Sequence, residues 1–359
     1  MRRRMVFVAV VCSTILGLAG ASNAHASPSW CGPKQVQAKD LPKTVSPAQC
    51  DLRGVAVTDG LAGAVVPDPG TVVESYVMRV DGPEESFAIQ TAPDGTVTLL
   101  GVGDDPIAPD PSATNAPASD SGSPAQPVTA AVDPSVDPDV IDPDAGNIQG
   151  DECTDGFYRL ENTGGEHDTH KWYMHASTIP GYFGVDNATV IARIREGGAH
   201  ITHGTTDCSS VSLQPNLSIS YQGTTTKTLQ MSTDGTTCNA HGDAQNTVGF
   251  GSMPSTSAAE TCNWKTLFPP AELTESDLRI NSNQDEAKFF GTDSKPGTCS
   301  NLYDLEGIAT HERGHTFGID DLDAANHPNL TMRGVAPRCS LELRSLGKGD
   351  ILGLNDMYN

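Results

Sequence analysis

Positive charge is scarce in this chain. Its 359 residues include 22 lysines and arginines against 45 aspartates and glutamates, a formal charge of −23. Nucleic acid and anionic membrane surfaces both require a basic face, so neither is an expected partner. The nine cysteines include no C-x-x-C pair, which removes a thiolate zinc knuckle from consideration. After the first 26 residues nothing is apolar enough to cross a bilayer. No internal repeat is present. Residues 105–150 contain no aromatic residue, lysine or arginine and are dominated by proline, aspartate, serine and alanine. Such a segment buries too little apolar surface to offset its ordering entropy, so a disordered, extended linker is expected there. A trypsin-like enzyme has no site within it.

What is present begins with "MRRRMVFVAVVCSTILGLAGASNAHAS": a basic start, an apolar run and Ala24-His25-Ala26. This is the pattern of a secretory signal peptide over residues 1–26, cut after Ala26, so the mature protein is expected to be secreted. A membrane anchor would need about 20 apolar residues, and this run is shorter. Cys12 leaves with the signal. Cys31, Cys50, Cys153, Cys208, Cys238, Cys262, Cys299 and Cys339 remain, an even set that in an exported chain implies disulfides. Cys31 and Cys50 are the expected first pair, and Cys299 with Cys339 is one of the pairings the other six allow.

Two structured zones flank the linker. In residues 27–104, "SYVMRV", "ESFAIQ" and "GTVTLLGV" alternate apolar and polar residues between turn signals, which predicts a small β-rich unit acting as a propeptide or accessory region. In residues 151–359, "HKWYMHAS", "LSISYQG", "NTVGFGS" and "SDLRINSN" read as short strands with antiparallel-looking hairpins. "DNATVIARIREGGAHI" has an Asp/Asn cap and places Val190, Ile191, Ile194 and Ala199 at helical spacing. "NLYDLEGIATHERGHTF" reads as a second helix capped by Asn301, with Asp304 three residues on. The class expected is α+β.

The second helix runs into "THERGHTFGIDD", residues Thr310 to Asp321. On a helix, His311 and His315 project from one face a turn apart, so both imidazoles can reach one ion. Glu312 is offset enough to miss that ion yet bond a water beside it. Gly318 falls where the helix should stop and can take the left-handed conformation that turns the chain back. That return brings Asp321 towards the same ion. Two histidines, a carboxylate and a water make a catalytic zinc site with one exchangeable position. At average composition H-E-x-x-H alone arises by chance in roughly one such chain in a hundred; with Gly318 and an acid at 321 the figure falls below about one in a thousand.

The extended pattern H-E-x-x-H-x-x-G-x-x-[H/D] resembles that of the metzincin zinc endopeptidases, and "NLTMRGVAPRC" supplies Met332 for their methionine-bearing turn. The resemblance spans about residues 153–359, is specific at the zinc motif and loose elsewhere, and looks matrixin-like. It implies a zincin-type domain with a twisted mixed sheet, an active-site helix and a Met-turn. It further implies His311, His315 and Asp321 on Zn2+, Glu312 as general base, and an extended peptide or protein as substrate. Most metzincins have histidine at the third position; Asp321 makes this chain similar to snapalysin-like members, with Asp320 the rival ligand. Gly334 stands where astacin-like members carry a tyrosine, so no tyrosine ligand is expected from that turn. By the same resemblance, "SDLRINSN" would be the sheet edge along which substrate pairs, and "VAPRCSLELRSLG" would line the pocket beyond the cut.

Other polar clusters have two readings each. His167, Asp168 and His170, or His241 and Asp243, could hold a structural Ca2+ or Zn2+ or be solvated loops. His200, His203 and His327 fit surface or packed positions. The Cys-Gly at Cys31 could be a propeptide thiolate on the zinc instead of a disulfide. Asn187, Asn216 and Asn329 lie in N-x-[ST] patterns, which matter only in a eukaryotic secretory pathway. The competing function is an exported, non-catalytic protein that keeps zinc for stability and binds a surface partner.

Overall fold

The structure is a computed structural model describing residues 28–82, 85–100, 151–161, 164–233, 235, 237–267, 272–282, 290–291, 297 and 299–358. The expected signal peptide and linker lie outside these residues.

The first half contributes seven strands: β1 (Gln35–Gln37), β2 (Thr44–Val45), β3 (Ala56–Asp59), β4 (Ala62–Val65), β5 (Thr71–Arg79), β6 (Glu85–Thr91) and β7 (Val97–Leu100). The second half adds β8 (His170–Met174), helix α1 (Asn187–His203), β9 (Ile219–Thr224), β10 (Asn246–Gly251), β11 (Ser257–Thr266) and β12 (Leu273–Asn281). It ends with β13 (Phe290–Gly291), β14 (Tyr303–Asp304), α2 (Leu305–Thr316) and α3 (Lys348–Met357). The α+β class is as expected.

Nine strands form one mixed sheet in the order β2-β7-β6-β5-β11-β12-β10-β8-β9. The two halves meet where β5 pairs antiparallel with β11 over nearly the full length of both. On the far side, β8, β9, β10 and β12 pair parallel, not as the hairpins the local sequence suggested. "SDLRINSN" is also not an edge: β12 lies between β11 and β10 and is buried on both faces. Its partners are remote in sequence, and its alternation gives no sign that both faces are covered.

Valines, a tyrosine and a methionine make β5 a good central strand, buried on both faces. Its odd positions Val73 and Val77 enter a core with Phe87, Ile89 and Leu99 from the first half and Met231, Cys238, Cys262 and Trp264 from the second. Even positions face the other way, towards the second half's helices. The core is therefore shared, and each fully buried aliphatic chain in it contributes about 1.5–3 kcal/mol.

Helix α1 is capped by Asp186, whose carboxylate accepts from the Thr189 N–H, and ends at Gly204 in the left-handed region. Its buried stripe is Val190, Ile194, Gly197, Gly198 and Ile201; Ile191 and Ala199, expected in it, are half-buried. Gly197 lets α2 approach closely, since a Cβ there would lie 2.7 Å from that of Ala309. The N-cap of α2 is Asp304, which accepts from Gly307 N–H, and Asn301 lies upstream of the helix with φ 62°. Arg344 makes a double hydrogen bond to Asp304 and so fixes that helix start.

All four cysteine pairs are disulfides: Cys31–Cys50, Cys153–Cys208, Cys238–Cys262 and Cys299–Cys339. Cys31 therefore offers no thiolate to a metal. No helix among the described residues is long and apolar enough to cross a membrane.

Candidate metal centre

Every residue of α2 is buried, so its polar side chains must find partners inside the protein. Glu306 meets His200 at 2.8 Å and Arg193 at 3.0 Å. Thr316 bonds Ser276. The two histidines of the motif are held from behind. His311 Nδ1 donates to the Thr331 carbonyl at 2.9 Å, and His315 Nδ1 donates to the Ile319 carbonyl at 2.9 Å. These bonds place the ring proton on Nδ1 and leave each Nε2 with a free lone pair, the state of a metal-ligating imidazole.

Those lone pairs point at one spot. The two Nε2 atoms are 3.3 Å apart, and Asp321 Oδ1 is 3.2 Å from His311 Nε2 and 3.5 Å from that of His315. All three side chains are fully buried. Neither Asp321 oxygen has a hydrogen-bond donor. Three acceptors converging without a donor repel one another unless a cation lies between them, so the set fits a metal ion. Burial opposes charge on His315, yet the Asp321 carboxylate outweighs burial and raises the imidazole to about 9, so a proton competes with a metal ion for this spot. Burial likewise works against the Asp321 anion, but His315 and His311 overcome it and hold the carboxyl far below the usual range.

Gly318 makes the return possible. Its φ of +89° is the left-handed turn expected after α2, and a Cβ there would lie 2.7 Å from the Met357 methyl and 2.9 Å from Gly165 N. Asp320, the rival, points elsewhere: it pairs with Arg159 at 3.4 Å and accepts from the Asp321 N–H. Met332 is fully buried under the helix, its sulfur against Gly314, where no side chain larger than hydrogen fits. The turn carrying Met332 is held by Asp350, whose carboxylate accepts from the N–H groups of Thr331, Met332 and Gly347 at 2.9, 3.2 and 2.8 Å.

Glu312 is the residue that faces the ligand set without joining it. Its Oε2 accepts from the Thr261 hydroxyl of β11, while Oε1 has no partner. Burial raises its pKa, with His311 and His315 pulling the other way. A buried carboxylate with one oxygen anchored and one unengaged can take a proton from a water beside the ion.

One face is closed. Tyr76 of β5 stacks on His315, with ring centroids 4.2 Å apart and planes 10° from parallel. Beside it lies Glu161, whose charge adds to burial in raising the Tyr76 phenol; Glu161 pairs with Lys265 of β11, and Lys265 also reaches Glu74 of β5 at 2.6 Å. A cavity of about 30 Å³ bounded by Glu74, Tyr76, Glu161 and Asp320 has room for about one water.

The other expected clusters do not assemble. His170 accepts from Arg313 through Nε2 at 2.8 Å and donates from Nδ1 to Glu166; burial lowers it to about 4, so it stays neutral. His167 packs edge-on to Tyr358. His241 pairs with exposed Asp68, and Asp243 with Lys227. His200 serves Glu306, His327 stacks on Phe157 and meets Asp155, and His203 is exposed at the end of α1. Among the described residues, the remaining metal-like groups each rest on a cystine, Cys153–Cys208 or Cys238–Cys262, and have no thiolate to offer.

Sequence reasoning missed Thr261, Tyr76, Asp350 and the carbonyls of Thr331 and Ile319. Asp350 alone had a local signal, as an acid three residues after Gly347 at the start of a helix. No protein-family model matches the chain, and neither does any curated protein.

Proposed function

We propose that this chain is a zinc-dependent endopeptidase of the metzincin type, with His311, His315 and Asp321 holding the ion and Glu312 as general base. The observation that carries this is the convergence of two Nδ1-anchored imidazoles and a donor-less carboxylate beside a half-engaged glutamate. Zinc is the ion that nitrogen and carboxylate donors in a three-ligand set favour, and when bound it would acidify a water and polarise the scissile carbonyl.

The chain's own residues supply the remainder. Thr261 holds Oε2 of Glu312 so that Oε1 can accept the proton of the attacking water and pass it to the leaving amine. Gly318 and Asp350 fix the two loops on which the ligand geometry depends. Burial of the whole set keeps the local dielectric low, which strengthens each of these interactions.

The test is hydrolysis of casein by the zinc-loaded protein, with and without chelator, beside Glu312→Ala. Loss of hydrolysis with retained zinc supports the assignment; undiminished hydrolysis in Glu312→Ala refutes the base. One observation favours the non-catalytic reading, a zinc-stabilised binding protein: the site is fully covered while β5 is in place.

A further inference from the structure

Strand β5 runs through the place a substrate would need. β11 is the strand that carries Thr261 to Glu312, and β5 is hydrogen-bonded along it, with Tyr76 directly opposite Thr261. At its C-terminal end β5 is gripped on the other side by the chain just past Met332: Arg79 N–H donates to the Gly334 carbonyl at 2.9 Å, and Ala336 N–H donates to the Arg79 carbonyl at 2.8 Å. An extended peptide held between a strand and a loop beside a metal centre is the β-augmentation mode of recognition. Alternate side chains of β5 face the site. Glu74 reaches buried Lys265, and Tyr76 lies flat on His315 and lines one small cavity with Glu161. Their neighbours Val73 and Val77 face the shared core.

Resting on the peptidase reading, we propose that Thr71–Arg79 is a built-in stand-in for an extended, tyrosine-bearing peptide, and that it keeps the site shut in the full chain. Cutting the segment 101–150 does not open the site. The first half is bound by a continuous sheet, by a core that takes in Cys238, Cys262 and Trp264, and by the buried Glu74–Lys265–Glu161 cluster. None of these depends on the connecting segment. Opening requires that β5 itself be displaced or destroyed.

The experiment uses the zinc-loaded full chain with a site for a sequence-specific protease inserted after Ala125, as wild type and as Tyr76→Ala. After the cut, the wild-type halves are expected to co-elute in size exclusion, amides of β11 to stay protected from hydrogen exchange, and peptide hydrolysis to stay at background. Cut Tyr76→Ala is expected to lose protection along β11 and to hydrolyse a tyrosine-containing peptide at least ~10-fold faster than cut wild type. With Glu312→Ala added, this opened form should bind the free peptide TVVESYVMR at least ~10-fold more tightly than TVVESAVMR, the scale of a lost aromatic contact. If Tyr76→Ala does not fold, Tyr76→Phe keeps the ring and removes only the hydroxyl beside Glu161, and should fall between the two. Three results overturn the proposal: the cut wild-type halves elute apart, the uncut chain hydrolyses peptide as fast as cut Tyr76→Ala, or β11 exchanges equally in all forms. A protein inert in every form, yet with β11 deprotected only in Tyr76→Ala, refutes the peptidase reading and leaves β5 as the occupant of the cleft.

Discussion

Asp350→Ala should damage the site from a distance. The Asp350 carboxylate is fully buried and accepts three backbone N–H groups, those of Thr331, Met332 and Gly347. Leaving a buried donor unpaired costs about 1–3 kcal/mol, so three donors lost together put the low end near 3 kcal/mol. The variant also removes the penalty of burying a carboxylate, which holds the net loss towards that low end. This is a large part of the ~5–15 kcal/mol that stabilises a typical domain. A second effect falls on the metal. The Thr331 carbonyl fixes the His311 ring, and loosening such a partner typically weakens metal affinity about 10–100-fold. Urea unfolding of the metal-stripped protein reads the first effect, and chelator competition for zinc reads the second. Asp350→Asn, which keeps one accepting oxygen, should lie between. If Asp350→Ala unfolds at the wild-type urea midpoint and holds zinc as tightly as wild type, the supporting role assigned to this carboxylate is wrong.

Three further outcomes follow from buried groups elsewhere. Lys265→Met leaves Glu74 and Glu161 facing each other without their cation and should cost about 3–5 kcal/mol in thermal unfolding; adding Glu74→Gln and Glu161→Gln should recover most of it. A single variant as stable as wild type would show that the lysine does not hold the cluster together. His170 is lowered to about 4 by burial against an ordinary value of 6.5, so the unfolded chain takes up its proton first as pH falls. Its contribution to stability, about 3 kcal/mol, is complete above pH 6.5 and is lost as pH falls towards 4; urea midpoints across this range should show that slope, and His170→Asn should flatten it. Gly197→Ala puts a methyl 2.7 Å from Ala309 Cβ and the Glu306 carbonyl and should cost about 1–3 kcal/mol by separating α1 from α2; Gly181→Ala, with nothing within 4 Å, should be near neutral.

The parts of the site legible in the sequence are those whose geometry is local. His311, Glu312 and His315 lie within one turn and a half of helix, and Gly318 and Asp321 follow at once, so helical spacing and one glycine were enough to bring the ligands together. Asp186 could be read as a helix cap for the same reason. What failed was non-local. Ser75 bonds Glu260 across 185 residues of chain, and nothing near either residue announces the other. β11 went unread because its Thr261 and Asn263 bond α2 and its Lys265 pairs with Glu74 and Glu161, so a buried face carries polar groups and the apolar alternation disappears. With β11 unseen, β12 took the role of edge strand in its place. Asn301 looked like a cap because asparagine often is one; Asp304 holds that position because Arg344, 40 residues on, locks it there.

Peptide hydrolysis at this site requires that His311, His315 and Asp321 share one metal ion. Anomalous scattering recorded at the zinc edge from crystals of the metal-replete protein tests it directly. The prediction is a single strong peak about 2.0–2.2 Å from both Nε2 atoms and from an Asp321 oxygen, kept in Asp320→Ala and lost in Asp321→Ala. No peak between those side chains, or a peak that survives Asp321→Ala, would contradict it.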